Sequence, residues 1–176
     1  MYGLTGLQVL RLTAARNLHA DDVAAVSALT ALTELDVCIA LHSAGGVAAL
    51  AAALPPLRRL RVLRASSFAD VSRTDAVALV AALAQLHLIA LDLARMPLGA
   101  QTAHLLCAIP PQLTRLRLPW CELGDAGVLA VARAVAAAVP GVMAHLDLAS
   151  NGCSAAGVDA ARRELRQLPS LRKASL

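Results

Sequence analysis

The chain has 176 residues, of which 58% are hydrophobic and only 2% aromatic, and its formal net charge is +4. This length suffices for one domain with a substantial core, but so few aromatic side chains argue against an enzyme or a ligand pocket with aromatic walls. The mild basic excess forms no dense cluster of lysine and arginine, so we expect no specific nucleic-acid partner.

A leucine pattern of the form Leu-x-x-Leu-x-Leu recurs along the chain, with a few Met, Val or Ala replacements. The second position of its seven copies falls at Leu10, Leu35, Leu63, Leu91, Leu116, Leu146 and Ala174. Successive copies are 25 to 30 residues apart. Apolar residues at every second position predict a short β-strand in each copy, because neighbouring side chains of a strand point to opposite faces.

Segments of helical periodicity lie between these strands. The predicted helices are 21–29, 46–54, 75–86, 125–139 and 154–165. Asp75, Asp125 and Ser154 are the candidate N-caps, since short polar side chains accept hydrogen bonds from the first N–H groups of a helix. A period near 3.6 thus alternates with a period of two once per unit, which is typical of a parallel repeat array.

The last two full copies carry the most distinctive motif. Residues 113–128 read LTRLRLPWCELGDAGV, and residues 143–158 read MAHLDLASNGCSAAGV. The LGDAGV segment after the strand resembles the ribonuclease-inhibitor-like subfamily of leucine-rich repeat proteins. The resemblance extends over nearly the whole chain, although only these two copies match closely.

The resemblance implies an α/β solenoid, or horseshoe, with parallel strands on its concave face and helices on its convex face. We expect a single leucine-rich repeat domain over residues 1–176, with about six full repeats and a terminal partial repeat. Both ends fall within the repeat pattern, which indicates part of a longer array or a chain capped by a partner.

In this family a residue after each strand hydrogen-bonds neighbouring turns into a ladder. Cys121 and Asn151 occupy that position in the last two full copies. The first four copies carry Ala15, Ala40, Phe68 and Met96 instead. We therefore expect the first four turns to be looser or to be satisfied differently.

The residue between the two leucines of each strand alternates in charge. The series is Arg11, Asp36, Arg64, Asp92, Arg117 and Asp147, followed by Ser175. Opposite charges on neighbouring strands stabilise each other by roughly 0.2–1 kcal/mol per pair. The series predicts a structural charge ladder that fixes strand order and register, and the alternative is a charge pattern read by a partner.

Basic residues gather toward the C-terminal strands on the same face. The candidate patch for partner binding consists of Arg115, Arg117, Trp120, His145 and Lys173. Arginine and tryptophan are over-represented among interface hot spots. The alternative for Trp120 is a side chain that fills a turn beneath the next repeat.

The almost purely Ala, Val and Leu segments 47–54 and 128–139 make the helical face a second candidate docking surface, or reflect a bias toward alanine.

No catalytic or phosphate-binding motif occurs in the sequence. The four cysteines at positions 38, 107, 121 and 153 form no Cys-x-x-Cys pair, so we expect free thiols in a reducing compartment and neither a metal nor a cofactor. Residues 37–57 lack charged side chains but contain Gly45-Gly46 and Pro55-Pro56, so we expect no membrane span.

These features predict a non-catalytic scaffold for protein–protein interaction, or a subunit of a larger assembly. The expected location is intracellular and cytoplasmic. The resemblance also implies that the chain could belong to a cytoskeletal or ciliary assembly, since proteins of this family include subunits of such assemblies. One alternative is a GTPase-regulating module, since the Ran GTPase-activating protein is similar in repeat type and length. Another is the substrate-recognition arm of a ubiquitin ligase.

Overall fold

The computed structural model of the chain describes residues 4, 6–12, 19–39, 45–67, 71–100, 112–137 and 142–176. Seven strands form one parallel sheet in which each strand pairs with the next along the chain. They are β1 (Val9–Arg11), β2 (Glu34–Ile39), β3 (Val62–Ser67), β4 (Ala90–Asp92), β5 (Arg115–Arg117), β6 (His145–Asp147) and β7 (Lys173–Ser175). The predicted α/β class with sequential parallel strands is confirmed.

In the described part of the chain, each α-helix lies between two consecutive strands. They are α1 (Ala20–Ala24), α2 (Gly46–Ala53), α3 (Arg73–Leu83), α4 (Gly124–Ala137) and α5 (Ala155–Leu165). The helix predicted at 21–29 was too long, because α1 continues as a 3-10 turn at Ala25–Ala28. There the Ser27 hydroxyl donates to the Ala24 carbonyl, and such bonds compete with regular helix.

Two of the three N-cap predictions were wrong. Helix α3 begins earlier than expected, and its N-cap is Ser72, whose Oγ accepts the Asp75 N–H at 3.1 Å. Asp125 lies inside the first turn of α4. Carboxylates are favourable in a first turn because they face the positive end of the helix dipole. Ser154 is the N-cap of α5 and accepts the Gly157 N–H at 3.1 Å.

The central leucines of β2 to β6 belong to one continuous apolar core, whereas Leu10 of β1 packs against it and Ala174 of β7 is exposed. Leu35, Leu63, Leu91, Leu116 and Leu146 are at most 2% exposed and cluster with the inward side chains of the helices. Each such leucine contributes about 1.5–3 kcal/mol through burial. The strand residues on either side of these leucines are half-buried or exposed. The helices therefore cover one face of the sheet, and the opposite face, called here the open face, is uncovered.

Buried polar bonds join the last units to one another. Asn151 is 4% exposed, and its Oδ1 accepts the N–H groups of Cys121 at 2.8 Å and Leu123 at 3.3 Å. Its Nδ2 donates to the carbonyls of Leu118 at 2.8 Å and Leu148 at 2.7 Å. Asn151 thus links the turn after β6 to the turn after β5.

Cys121 makes the equivalent link one unit earlier, since its Sγ donates to the Leu93 carbonyl at 3.1 Å. Met96, at the same position of the unit before, is fully buried in the apolar core. That position is therefore filled by apolar packing, and backbone bonds such as the Leu98 N–H to the Cys121 carbonyl at 3.0 Å join the turn to the next unit. The other three substituted positions, Ala15, Ala40 and Phe68, lie outside the described residues.

A membrane-spanning helix would need both length and sustained apolar character. None of the helices in the described ranges combines the two.

Candidate functional site

Two rows of side chains cross the open face at right angles to the strands. The leading row precedes each central leucine and contains Val9, Glu34, Val62, Ala90, Arg115, His145 and Lys173. The trailing row follows it and contains Arg11, Asp36, Arg64, Asp92, Arg117, Asp147 and Ser175. Within each row, every residue pairs in register with its neighbour, so the rows are continuous across all seven strands.

The trailing row is the series predicted to form a charge ladder. Arg117 contacts both neighbours, Asp92 at 2.7 Å and Asp147 at 3.3 Å. Arg64 contacts Asp36 at 3.7 Å. Among the described side chains, no ion pair within 4.0 Å joins Arg64 to Asp92 or Arg11 to Asp36. The charges alternate in register as the sequence predicts, but only some neighbours form ion pairs.

Glu34 explains why the ladder is incomplete. This residue of the leading row accepts from Arg64 Nη1 at 2.6 Å and from Arg11 Nη2 at 3.0 Å. The Arg64 hydrogen bond holds the pKa of Glu34 below its ordinary 4.5, and Arg11 adds to this effect against the opposing effect of burial. Sequence reasoning did not include Glu34 in the ladder. Its position could have indicated this role, because Glu34 is the one acidic residue of the leading row and lies diagonal to two arginines.

The ion-paired charges of the open face therefore divide into two groups. Arg11, Glu34, Asp36 and Arg64 form a neutral group on β1 to β3. Arg117 with Asp92 and Asp147 forms a second group on β4 to β6, with one excess negative charge.

The residues of the candidate patch differ in whether their side chains have ion-pair partners in the described chain. Arg117 is engaged by the two aspartates. Arg115, His145 and Lys173 are consecutive in the leading row, on β5, β6 and β7. Within the described ranges, the side chains of these three residues have no hydrogen bond or ion pair. The structure thus brings together a row of three basic side chains with no internal counter-ion, called here the basic row.

Trp120 lies at the end of β5 and is 60% exposed, so the alternative in which it fills a turn beneath the next repeat is wrong. Its φ is +60°, in the left-handed region, and its N–H donates to the Ala149 carbonyl at 3.2 Å. The equivalent residue of the preceding unit, Arg95, has the same φ and lies with its guanidinium 5.8 Å from the Trp120 ring centroid. This cation–π contact holds the ring at the carboxyl edge of the sheet.

A small recess of about 70 Å³ opens on the same face between β3, β4 and β5. Its walls and floor include Arg64, Ala90, Leu91, Asp92, Arg115 and Arg117. Ala90 creates the recess because its methyl group is the smallest side chain of the leading row. Of the three arginines that line it, Arg64 and Arg117 form ion pairs with carboxylates of the same face, and Arg115 has no ion pair among the described residues.

The sequence matches no protein-family model and no curated protein. The geometry of the open face is therefore the basis for assigning a function.

No group of three or more His, Cys, Asp or Glu residues in the described part of the chain is placed to bind a metal ion. Burial raises the pKa of the Cys121 thiol to about 12, and burial also raises the pKa of the half-buried Cys153. A thiolate is the nucleophilic form of cysteine, so neither residue is activated.

The helical face was the second candidate docking surface. Val47 and Leu50 of α2 and Val128 and Val131 of α4 are buried in the core, whereas Leu129 of α4 is half-buried. The exposed large hydrophobic residues of the described chain are Leu4, Val9, Val77, Ile89 and Trp120, and none belongs to α2 or α4. Residues 138 and 139 of the predicted apolar segment lie outside the described residues. The described surface of these two helices is thus mainly alanine, together with the half-buried Leu129 and the exposed Arg133.

Proposed function

We propose that this chain is a ribonuclease-inhibitor-like leucine-rich repeat module that binds a protein partner without catalysing a reaction. In this proposal the open face is the concave surface of a horseshoe, and the helices lie on its convex side. The sequential parallel sheet and the hydrogen-bonded turns at Cys121 and Asn151 support it. Repeat arrays of this kind offer extended surfaces for binding proteins.

The observation that carries the proposal is the contrast between the two rows of the open face. The charges of the trailing row are largely satisfied by one another and by Glu34. The basic row of Arg115, His145 and Lys173 is not satisfied within the described chain, and it lies on the uncovered side of the sheet. Trp120, an exposed aromatic side chain, follows the same strand as Arg115. An exposed tryptophan near unpaired basic side chains is typical of a binding surface.

The free thiols of Cys121 and Cys153 agree with residence in a reducing compartment, and we propose a cytoplasmic location. Membership of a larger assembly, including a cytoskeletal or ciliary one, belongs to the same proposal. GTPase regulation and substrate recognition for a ubiquitin ligase are two further forms of non-catalytic binding. The identity of the bound protein distinguishes among them.

Affinity capture from native extract, with partners identified by mass spectrometry, tests the proposal. The parent chain is compared with an Arg115→Glu/Lys173→Glu variant, which reverses two charges of the basic row. The matched control is Arg58→Glu/Arg59→Glu, which makes the same charge change at two exposed turn residues away from the strands.

We expect a protein that is captured by the parent and by the control but lost by the basic-row variant. Circular dichroism and thermal unfolding establish that all three chains are folded. Equal capture of every partner by all three chains would show that the basic row is not the binding surface.

A further inference from the structure

The unpaired charge of the open face is confined to one side of the sheet. Strands β1 to β3 carry a balanced group of two arginines and two carboxylates. Strands β5 to β7 carry Arg115 and Lys173 without ion-pair partners in the described chain. Arg115 is diagonal to Asp92 and Asp147, but both aspartates bind Arg117 instead. The guanidinium of Arg115 is therefore left available beside the recess.

The recess forms a pocket beside the guanidinium of Arg115. Ala90 pairs in register with Val62 on one side and Arg115 on the other, so its small side chain leaves a gap between them. Arg64 also lines the recess, and its described ion pairs use only Nη1 of its guanidinium. A cavity of about 70 Å³ accommodates a carboxylate group but not a large side chain.

We infer that the recess and the basic row bind an acidic segment of a protein, with one Asp or Glu carboxylate entering the recess against Arg115. This inference rests on the proposed function and names the chemistry of its partner. A planar carboxylate matches the paired N–H donors of a guanidinium, which makes such charge-assisted hydrogen bonds strong and directional. Further carboxylates of the segment pair with His145 and Lys173.

The spacing of the basic row suits a peptide. Neighbouring parallel strands lie about 4.8 Å apart, so the backbone positions of Arg115 and Lys173 are about 10 Å apart. Three or four residues of an extended chain span that distance, since each advances the chain by about 3.3 Å. A short acidic stretch that crosses the strands can therefore reach all three basic side chains.

The carboxylates of the same face disfavour a nucleic acid. Asp92 lines the recess itself, and Asp147 follows His145 by two residues on β6. A continuous phosphate backbone would meet these negative charges along its path. Individual carboxylates of a peptide can be placed between them.

Fluorescence anisotropy with fluorescein-labelled hexaglutamate tests the inference on the full chain at low ionic strength. Hexaglutamine of the same length is the uncharged comparison probe, and a short single-stranded DNA is the phosphate probe. The informative variants are Arg115→Gln, which removes the free charge, and Ala90→Val, which fills the recess without changing any charge.

Ala90→Val is compatible with the fold because Val9 and Val62 occupy equivalent positions of the leading row. Val9→Ala is its matched control, as it changes the same row by the same two methyl groups on β1, away from the recess.

We expect hexaglutamate to bind, hexaglutamine not to bind, and added salt to weaken the complex. Each of Arg115→Gln and Ala90→Val should weaken hexaglutamate binding by about tenfold, and Val9→Ala should leave it within about twofold. Absence of hexaglutamate binding, unchanged binding by Arg115→Gln, or tighter binding of the DNA would each overturn the inference. If a partner is nevertheless captured through the basic row, the proposed interaction module stands and only the acidic chemistry of the partner is wrong.

Discussion

The side-chain amide of Asn151 binds the backbone of Cys121, which lies in the preceding unit of the array. Oδ1 of Asn151 accepts the Cys121 N–H at 2.8 Å, and Nδ2 donates to carbonyls of both units. All of these groups are buried. A buried backbone group without a partner is costly, so this one side chain adds to the backbone pairing that stacks β5 on β6.

Replacement of Asn151 by alanine removes the partners of several buried backbone groups at once. We expect Asn151→Ala to lower the free energy of unfolding by about 3 kcal/mol, since each unsatisfied buried group costs roughly 1–3 kcal/mol. Urea denaturation followed by circular dichroism measures the loss. Asn151→Cys is the matched comparison because cysteine occupies the equivalent position at 121, and its loss should be smaller. A stability change below about 0.5 kcal/mol for the alanine variant would contradict this role of Asn151.

A second contact between units joins α4 to α5. Asp125 in the first turn of α4 accepts the Ser154 N–H at 2.7 Å and the Ser154 hydroxyl at 2.6 Å. A Cβ atom at Gly157 would overlap the carboxyl group of Asp125. Gly157 is therefore small because Asp125 lies against it, and not because its backbone requires glycine.

We expect Gly157→Ala to lower the midpoint of thermal unfolding by about 3 °C, because Asp125 must turn away from Ser154. Alanine otherwise favours a helix over glycine. The penalty should therefore shrink or disappear in an Asp125→Ala background, and thermal unfolding of the two single variants and the double variant measures this coupling. Additive effects of the two substitutions would argue that Gly157 is constrained by something other than Asp125.

Much of the fold was predictable because each unit repeats the same few apolar positions. The alternation around Leu63 or Leu116 determines which residues face outward, and one strand per unit determines which residues share a row. Helix starts were less predictable. Ser72 and Asp75 are both good N-cap residues, and the choice depends on where the chain leaves β3 rather than on propensity.

The rows of the open face were predictable, but the ion pairs within them were not. Arg64 lies in register between two aspartates, yet it contacts Glu34 more closely than either. That choice depends on the length and rotamer of the arginine side chain, which strand alternation does not specify. The exposure of Trp120 likewise follows from a left-handed backbone conformation that no pattern of apolar residues indicates.

The contacts of Glu34 make stability depend on pH. Its pKa in the folded chain lies below the ordinary 4.5, with the Arg64 hydrogen bond as the largest cause. A carboxylate with a depressed pKa stabilises the fold above its unfolded value and loses that contribution as pH falls through the folded pKa. We expect Glu34→Gln to cost about 1 kcal/mol near pH 7, and the cost should diminish below pH 4.5.

Urea denaturation of parent and variant at several pH values measures this difference. Asp159→Asn is the control, since Asp159 contacts Arg162 only at 3.6 Å and is highly exposed. Its effect should be smaller at every pH. A Glu34→Gln difference that grows as pH falls would contradict the sign of the pKa shift.

The reactivity of the buried Cys121 thiol is a measure of how tightly the last two full units pack. Asn151 binds the backbone at the same boundary between those units. Burial raises the pKa of Cys121 to about 12, so the reactive thiolate is scarce at pH 8. Its Sγ also donates to the Leu93 carbonyl at 3.1 Å, and the side chain is fully buried. We expect Cys121 in the native chain to be alkylated by iodoacetamide much more slowly than the half-buried Cys153, with both rates resolved by peptide mass spectrometry.

In guanidinium chloride the two rates should become similar, because unfolding removes the burial that separates them. Asn151→Ala should raise the rate at Cys121 more than the rate at Cys153, since it weakens the backbone contacts around the buried thiol. Equal native rates at both cysteines would mean that the turn after β5 opens readily, and the boundary between the last two units would then contribute little to the stability of the array.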